Sequence, residues 1–304
     1  MRASTRFREL LYQPGTLQLP GIATGVSARL ARQRFPALFA SGFCASAVEG
    51  LPDLGLMGMQ RVVRHAGMLV AAANGVPIIA DADTGYSDVA GTVRAFIAAG
   101  VAGIQLEDQL GEGKQCGHWG GKKVISCLEM VDKISVALEV RTATAQYPGF
   151  EPDPEFVIVG RTDALDPEGL ESALDRADAY LAAGATLVIV EAPRTMDDLY
   201  TISERFRDQP GRLVFNWVAG GKVCPSFEVI EELGFKAVFY STAGLFASVY
   251  AERALWDRVA SKGDPRTVAE QVTMTEFTDI IGLPEFVEAT SPDNRPRVDD
   301  PVAR

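Results

Sequence analysis

PIIADADTGYSDVAGTVRAFIAAGVAGIQLED, residues 77–108, is the stretch that decides the fold. It opens on an apolar run, 77–81, too short for a helix. An amphipathic stretch, 92–99, follows and ends at Gly100; a second apolar run, 103–107, comes after it. Strand, helix and strand in so short a span make a βαβ unit, whose two strands run parallel beneath the helix. The pattern then repeats along the chain. Short apolar runs recur at 17–22, 37–41, 156–161, 187–191, 213–216 and 237–240. Amphipathic stretches lie at 129–140, 168–183 and 227–233, and Gly184 and Gly234 stand where left-handed C-terminal caps belong. Eight strands alternating with helices predict an α/β fold, a (β/α)8 barrel.

Such a barrel gathers its site at the C-terminal ends of the strands. The polar residues that close the apolar runs are Ser41, Asp81 with Asp83, Glu107 with Asp108, Arg161 with Asp163, Glu191 and Asn216. Strand ends become polar simply by meeting water, but so many acids around one arginine point to chemistry. Asp81 and Asp83 share a face of an extended segment. With Glu107 from the neighbouring strand they offer hard oxygens to a divalent cation, Mg²⁺ or Mn²⁺, that keeps waters and leaves room for substrate. The plainer alternative is a pair of exposed or capping aspartates ahead of a helix at 87–99.

A second cluster is GEGKQCGHWGGK, residues 111–122, a glycine-bounded loop suited to act as a lid. Lys114 and His118 flank Cys116, and both neighbours favour a thiolate there, so Cys116 is the expected general acid or base. Arg161 is placed either to grip a carboxylate with its planar fork or to pair with Asp163. Ser41, Gly42 and Phe43 offer a hydroxyl and backbone N–H groups to a carboxylate. Glu191 is placed to orient a water, accept a proton or hold Arg161. His65, inside a helical stretch at 58–74, is assigned no role.

Composition narrows the classes. The 304 residues carry 29 basic and 40 acidic side chains, a net charge of −11, which argues against nucleic-acid and anionic-membrane partners and for a small-molecule ligand. Four cysteines without a CxxC pair and two histidines suggest neither a disulfide framework nor a zinc ribbon. The N-terminal arginines lack a following apolar core, so cytoplasm is the expected location. Residues 1–286 are expected to form one barrel domain. A helix at 267–281 has no strand before it, and 287–304 is expected to be a flexible tail rich in proline and charge.

Taken together, SGF at Ser41, LPDLG at Leu51, DADTGY at Asp81, LEDQ at Leu106, KQCGH at Lys114, GRTDAL at Gly160, VEAP at Val190 and N-x-V-x-GGK at Asn216 resemble the isocitrate lyase/phosphoenolpyruvate mutase superfamily. The resemblance runs from about residue 7 to residue 286. It implies a magnesium-dependent lyase that breaks a carbon–carbon bond in a 2-hydroxy or 2-oxo di- or tricarboxylate by way of a metal-stabilised enolate. Carried over, it makes Asp83 the principal metal ligand, with Asp53, Asp81 and Glu107 binding through water. Cys116 becomes the acid/base, Lys114, His118, Arg161 and Glu191 line the reacting groups, and Ser41, Gly42, Phe43, Gly117 and Asn216 hold carboxylates. It also implies a homodimer or homotetramer that exchanges C-terminal helices, which would employ the helix at 267–281.

KQCGH favours the lyases over the phosphonate-forming mutases. The late-strand run Asn216-Trp217-Val218-Ala219-Gly220 departs from the methylisocitrate-cleaving branch, which has Asn-x-Thr-Glu-Phe there. VEAP and GGK look more like the dimethylmalate- and oxaloacetate-cleaving branch, which also has a glutamate where Ala219 stands. Bulk at Trp217 and lost charge at Ala219 suggest a smaller or less charged substrate substituent. The other readings are a phosphoenolpyruvate phosphomutase or phosphonate hydrolase, and a barrel that binds without catalysing.

Overall fold

The computed structural model of the chain describes residues 1–143, 147, 149–263, 265 and 272–290. Its strands are β1 (Leu17–Pro20), β2 (Leu38–Ala40), β3 (Ile78–Asp81), β4 (Gly103–Glu107), β5 (Val157–Thr162), β6 (Leu187–Val190), β7 (Val214–Trp217) and β8 (Ala237–Tyr240). All pair in parallel, in two runs, β2-β3-β4-β5-β6 and β1-β8-β7. Single parallel bridges from Gly21 to Phe39 and from Val188 to Leu213 join the runs at both ends. The circuit therefore closes as the expected (β/α)8 barrel, each strand within a few residues of its apolar run.

Period-two alternation divides every strand between two cores. Leu19, Phe39, Ile79, Val157, Val159, Leu187, Ile189, Val214, Ala237 and Phe239 fill the bore, where Phe39 and Phe239 stack with centroids 4.3 Å apart. Leu38, Ile78, Ile104, Leu106, Ile158, Val188, Phe215 and Val238 face outward and pack beneath the helices. The helix Ala3–Tyr12, which the strand–helix alternation does not announce, adds the fully buried Phe7 to the bore cluster. Continued toward the strands' C-terminal ends, the bore-facing positions reach Ser41, Asp81, Glu107, Arg161, Glu191, Asn216 and Ser241. The residues that fill the barrel and those that crown it belong to one register.

The helices between strands end as their sequence requires. Val89–Ala98 and Leu170–Ala182 each stop just before a glycine with positive φ, Gly100 at 83° and Gly184 at 106°, a conformation that β-carbons disfavour. Val89–Ala98 is capped by Asp88, whose carboxylate accepts from the Gly91 N–H at 2.9 Å. Asp81 and Asp83 are therefore not the caps of that helix, and both are buried.

The chain falls into two units, Met1–Val249 and Tyr250–Arg304. The first holds the barrel. The second holds the end of helix Ala243–Lys262 and the helices Met274–Ile280 and Leu283–Thr290. Thr273 and Glu276 form a reciprocal capping box at the start of Met274–Ile280. Of the helix expected over 267–281, residues 267–271 lie outside the described residues. Of the expected tail, residues 287–290 belong to the last helix and 291–304 lie outside the described residues. Among the described residues no helix is long and apolar enough to cross a membrane.

Candidate active site

The carboxylates of β3 and its turn stand beside the start of helix Gly42–Val48. Asp81 Oδ2 accepts from the Gly42 N–H at 3.2 Å, while its Oδ1 accepts from the Asp83 N–H at 3.1 Å and from Gln105 Nε2 at 3.3 Å. A methyl group on Gly42 would stand 2.9 Å from Asp81 Oδ2, so glycine is what admits this approach. The Gly42 N–H, expected to be available to a substrate carboxylate, is thus already given to Asp81. Ser41 Oγ, likewise, accepts from the Cys44 N–H at 3.4 Å and caps the helix. Burial, with the charge of Asp83 second, raises the Asp81 carboxyl to about 6.

Asp83, Tyr86 and Ala192 adopt left-handed φ values of 48°, 54° and 55°. Backbone of this kind is held in place by its surroundings and concentrates at functional sites. Lys114 reaches in from the 111–122 loop and places Nζ 2.6 Å from Asp83 Oδ1 and 2.7 Å from Asp53 Oδ1. Burial alone would lower its pKa. Asp83, Glu107, Asp53 and Asp81 outweigh that and hold it well above the usual lysine value.

Glu107 and Arg161 are register partners on β4 and β5, with Arg161 Nη1 3.3 Å from Glu107 Oε2. Of the two roles open to Arg161, the fork is taken internally: Nε lies 2.9 Å from Asp163 Oδ2 and Nη2 donates to Asp163 Oδ1 at 2.9 Å. Glu191 Oε2 is 3.7 Å from Arg161 Nε, while Glu191 Oε1 accepts from Asn216 Nδ2 at 2.8 Å and lies 3.4 Å from His118 Nε2. Ser241 Oγ donates to Asn216 Oδ1. Burial pushes Glu107 well above the ordinary carboxylate range despite the opposing charge of Arg161. Asp163 is held low by Arg161 and Lys122 against its own burial.

The Cys116–His118 segment lies directly on this floor. A methyl group on Gly117 would come 2.1 Å from Arg161 Nη2 and 2.7 Å from Glu191 Oε1, so only glycine fits. The thiol differs from the sequence expectation. Burial raises the Cys116 pKa, and the His118 backbone N–H and Arg161 offset this only in part. Lys114 does not act as its neighbour because its ammonium is spent on Asp53 and Asp83. Burial also lowers the His118 pKa, leaving a neutral imidazole near neutral pH. Cys116 is therefore held as a thiol, the form that donates a proton.

These groups surround a cavity of about 460 Å³, counting the part open to solvent. Its lining includes Ser41, Phe43, Asp53, Asp81, Cys116, Gly117, His118, Arg161, Glu191 and Asn216. Gly42, Asp83, Glu107 and Lys114 do not line it; they hold residues that do. Sequence reasoning missed Gln105, Val218, Ser241, Thr242 and Phe246 on the lining, and Lys122 and Asp163 beneath it. Gln105 carried a usable signal, because it precedes Glu107 by two positions and so shares its face.

Two expectations are corrected by the same alternation. Asp108 turns away from the bore, where it accepts from Thr162 Oγ1 at 2.7 Å, the Asp163 N–H at 2.8 Å and Tyr180 Oη at 2.6 Å, with Arg176 Nη1 at 3.3 Å. Trp217 also faces outward, edge-on to Tyr240 at 5.8 Å, and Val218 takes the cavity position instead. Ala219 gives its N–H to Thr242 Oγ1 at 3.4 Å and is not on the lining. His65 donates to the Ala23 carbonyl at 2.8 Å, a structural bond, as expected for a residue given no role.

The donor set suits a hard divalent cation. Both Glu107 oxygens are buried without a hydrogen bond, and Asp83 Oδ1 meets only the ammonium of Lys114. Among the described residues no three His, Cys, Asp or Glu side chains close into a ready cage, so the oxygens do not converge as tightly as the sequence suggests. An open set of this kind is compatible with magnesium, which keeps several waters and takes few direct carboxylates.

Comparison with known proteins agrees with this architecture. The family model described as phosphoenolpyruvate phosphomutase matches residues 7–260. The chain is 37% identical over 298 residues to 2,3-dimethylmalate lyase of Eubacterium barkeri, covering 95% of this chain and 97% of that one. It is 33% identical over 288 residues to 2-methylisocitrate lyase of Bacillus subtilis, with 92% and 90% covered. Among solved structures, oxaloacetate acetylhydrolase bound to the inhibitor 3,3-difluorooxalacetate superposes with a TM-score of 0.84 at 30% identity, over 94% of this chain and 95% of that one.

Proposed function

The chain belongs to the phosphoenolpyruvate mutase/isocitrate lyase superfamily, and from that premise we propose how its site works as a carbon–carbon lyase on a 2-hydroxy or 2-oxo carboxylate. The observation that carries this reading is a cysteine lining one cavity together with Asp81, Asp53, Arg161, Glu191 and Asn216; burial, which raises its pKa, favours the thiol that donates a proton. Mg²⁺, held by Asp83 with Asp81, Glu107 and Asp53 around it, would supply Lewis-acid stabilisation of negative charge on the substrate oxygens.

The chain's own residues do the rest. Glu191 Oε2, buried without a donor, accepts the proton of the substrate's 2-hydroxyl as the carbon–carbon bond breaks. Arg161, fixed by Asp163, faces the charge that develops. Cys116 Sγ hands its proton to the carbanionic carbon of the departing acid, a step worth about 10²–10⁴-fold for a well-placed acid. Gly117, by fitting against Arg161 and Glu191, sets the thiol's height above them.

The lining narrows the substrate. Arg161 is its sole Arg or Lys among the described residues, and Phe43, Val218 and Phe246 make an apolar portion. A third substrate carboxylate would have no cation there, whereas an alkyl group would have an apolar wall. An alkyl-substituted 2-hydroxy dicarboxylate fits best, as it does the name of the Eubacterium barkeri relative. Assembly through exchanged C-terminal helices, in a homodimer or homotetramer, draws support from Met274, Phe277 and Leu283, exposed apolar residues of the second unit.

The test is an NMR assay of 2,3-dimethylmalate, citramalate, oxaloacetate, 2-methylisocitrate and isocitrate with Mg²⁺. The alkylmalates should be cleaved, with loss of activity in EDTA and in Cys116→Ser. Faster cleavage of the tricarboxylates would refute the substrate assignment. A ³¹P signal of phosphonate formed from phosphoenolpyruvate, with all five acids untouched, would replace the lyase reading with the mutase one.

A further inference from the structure

Lys122, given no role by the sequence, closes the 111–122 loop and is almost fully buried. Its ammonium donates to the Gly117 carbonyl and lies 3.3 Å from Asp163 Oδ1. Gly117 is the link between Cys116 and His118. Asp163 is the carboxylate that fixes Arg161 from two sides. One side chain therefore bonds at once to the loop that carries the thiol and to the floor beneath it.

The loop's entry is tied separately. Gln109 accepts from the Gln115 N–H at 3.0 Å and donates to the Gln115 carbonyl at 3.0 Å, and Lys114 is bound to Asp53 and Asp83. Those contacts hold the segment before Cys116 from the side. After Cys116, His118 Nε2 comes 3.4 Å from Glu191 Oε1 and the Gly121 N–H donates to Asp166 Oδ2 at 3.2 Å, but among the described residues it is Lys122 that joins the backbone of this segment to the carboxylate fixing Arg161. Burying an ammonium is costly unless its charge and hydrogen bonds are met, and here both are met by the two partners whose separation decides where Cys116 stands.

We propose that Lys122 is a positioning residue that pegs the Cys116-Gly117-His118 segment onto the Arg161–Asp163 pair and so sets the thiol at proton-transfer distance from the substrate. It does not touch the substrate itself. Its effect on turnover rests on the lyase reading; its effect on the thiol's accessibility does not.

Lys122→Met, Lys122→Gln and Lys122→Arg are to be compared with the wild-type chain by kinetics and by iodoacetamide labelling resolved by peptide mass spectrometry. Cys127, on helix Cys127–Thr142 outside the loop, serves as internal reference. Lys122→Met should lower kcat about 10²-fold, the scale of a misplacement near 1 Å, with KM little changed. Cys116 should label severalfold faster while Cys127 does not change. Lys122→Gln, whose amide still donates to Gly117, and Lys122→Arg, which keeps the charge, should recover part of kcat. Unchanged Cys116 labelling in the folded variants would overturn the proposal, as would Cys116 and Cys127 accelerating together, which would mean general loosening. If wild-type protein cleaves none of the acids, the labelling still decides the peg while the lyase reading falls alone.

Discussion

Glu107 and Asp108 are adjacent carboxylates at the end of one strand, and they live in opposite worlds. Burial raises the pKa of both. Asp108, on the outer face, is met by Thr162, Tyr180, Arg176 and the Asp163 N–H. Glu107, on the bore face, has neither oxygen hydrogen-bonded and relies on the charge of Arg161. A saturated buried carboxylate is a brace; one left without donors is, in the proposed reading, a group for a cation. The outer face thus pins the backbone of β4 and β5, and the inner face carries the residues proposed to act.

The largest effect should come from breaking the brace. Arg176 keeps Glu168, but Asp108→Asn sets an amide donor among four donors that now meet an acceptor, and each buried donor left unpaired costs about 1–3 kcal/mol. Denaturant melts should show it, with activity falling only in proportion to the folded fraction. A smaller effect tests the inner face: excess Mg²⁺ at about 100 times its Kd should add about 2.7 kcal/mol to wild-type stability, and Asp83→Asn should lose that gain in the same melts.

The smallest effect concerns the thiol. A raised thiol pKa keeps the proton on at neutral pH and releases it only as pH climbs past the ordinary value of 9.0. The iodoacetamide rate at Cys116 should therefore still be rising at pH 9.0. A plateau near neutral pH would restore the thiolate that its flanking residues suggest.

Much of this was legible in the sequence. Each apolar run became a strand because runs so short and β-branched have little other use, and the site residues lie at the run ends because the barrel's register carries them there. The limits lie where one position of register or one long side chain decides. Trp217 draws the eye, but the alternation that points Asn216 into the cavity also points Val218 there and sends Trp217 outward. Lys122 is given no role in the sequence, and its burial follows only from the loop folding back. Cys116 reads as a thiolate until Lys114 is found spent on Asp53 and Asp83, because a pKa depends on burial and on partners distant in sequence.

The most direct test of the difference between the two faces is Glu107→Gln, assayed for turnover and for thermal stability beside Asp108→Asn. The arrangement predicts that Glu107→Gln loses most activity while melting at or above the wild-type temperature, since a buried charge without donors has been relieved, whereas Asp108→Asn melts far lower. A Glu107→Gln protein that keeps its turnover, or that loses as much stability as Asp108→Asn, would contradict it.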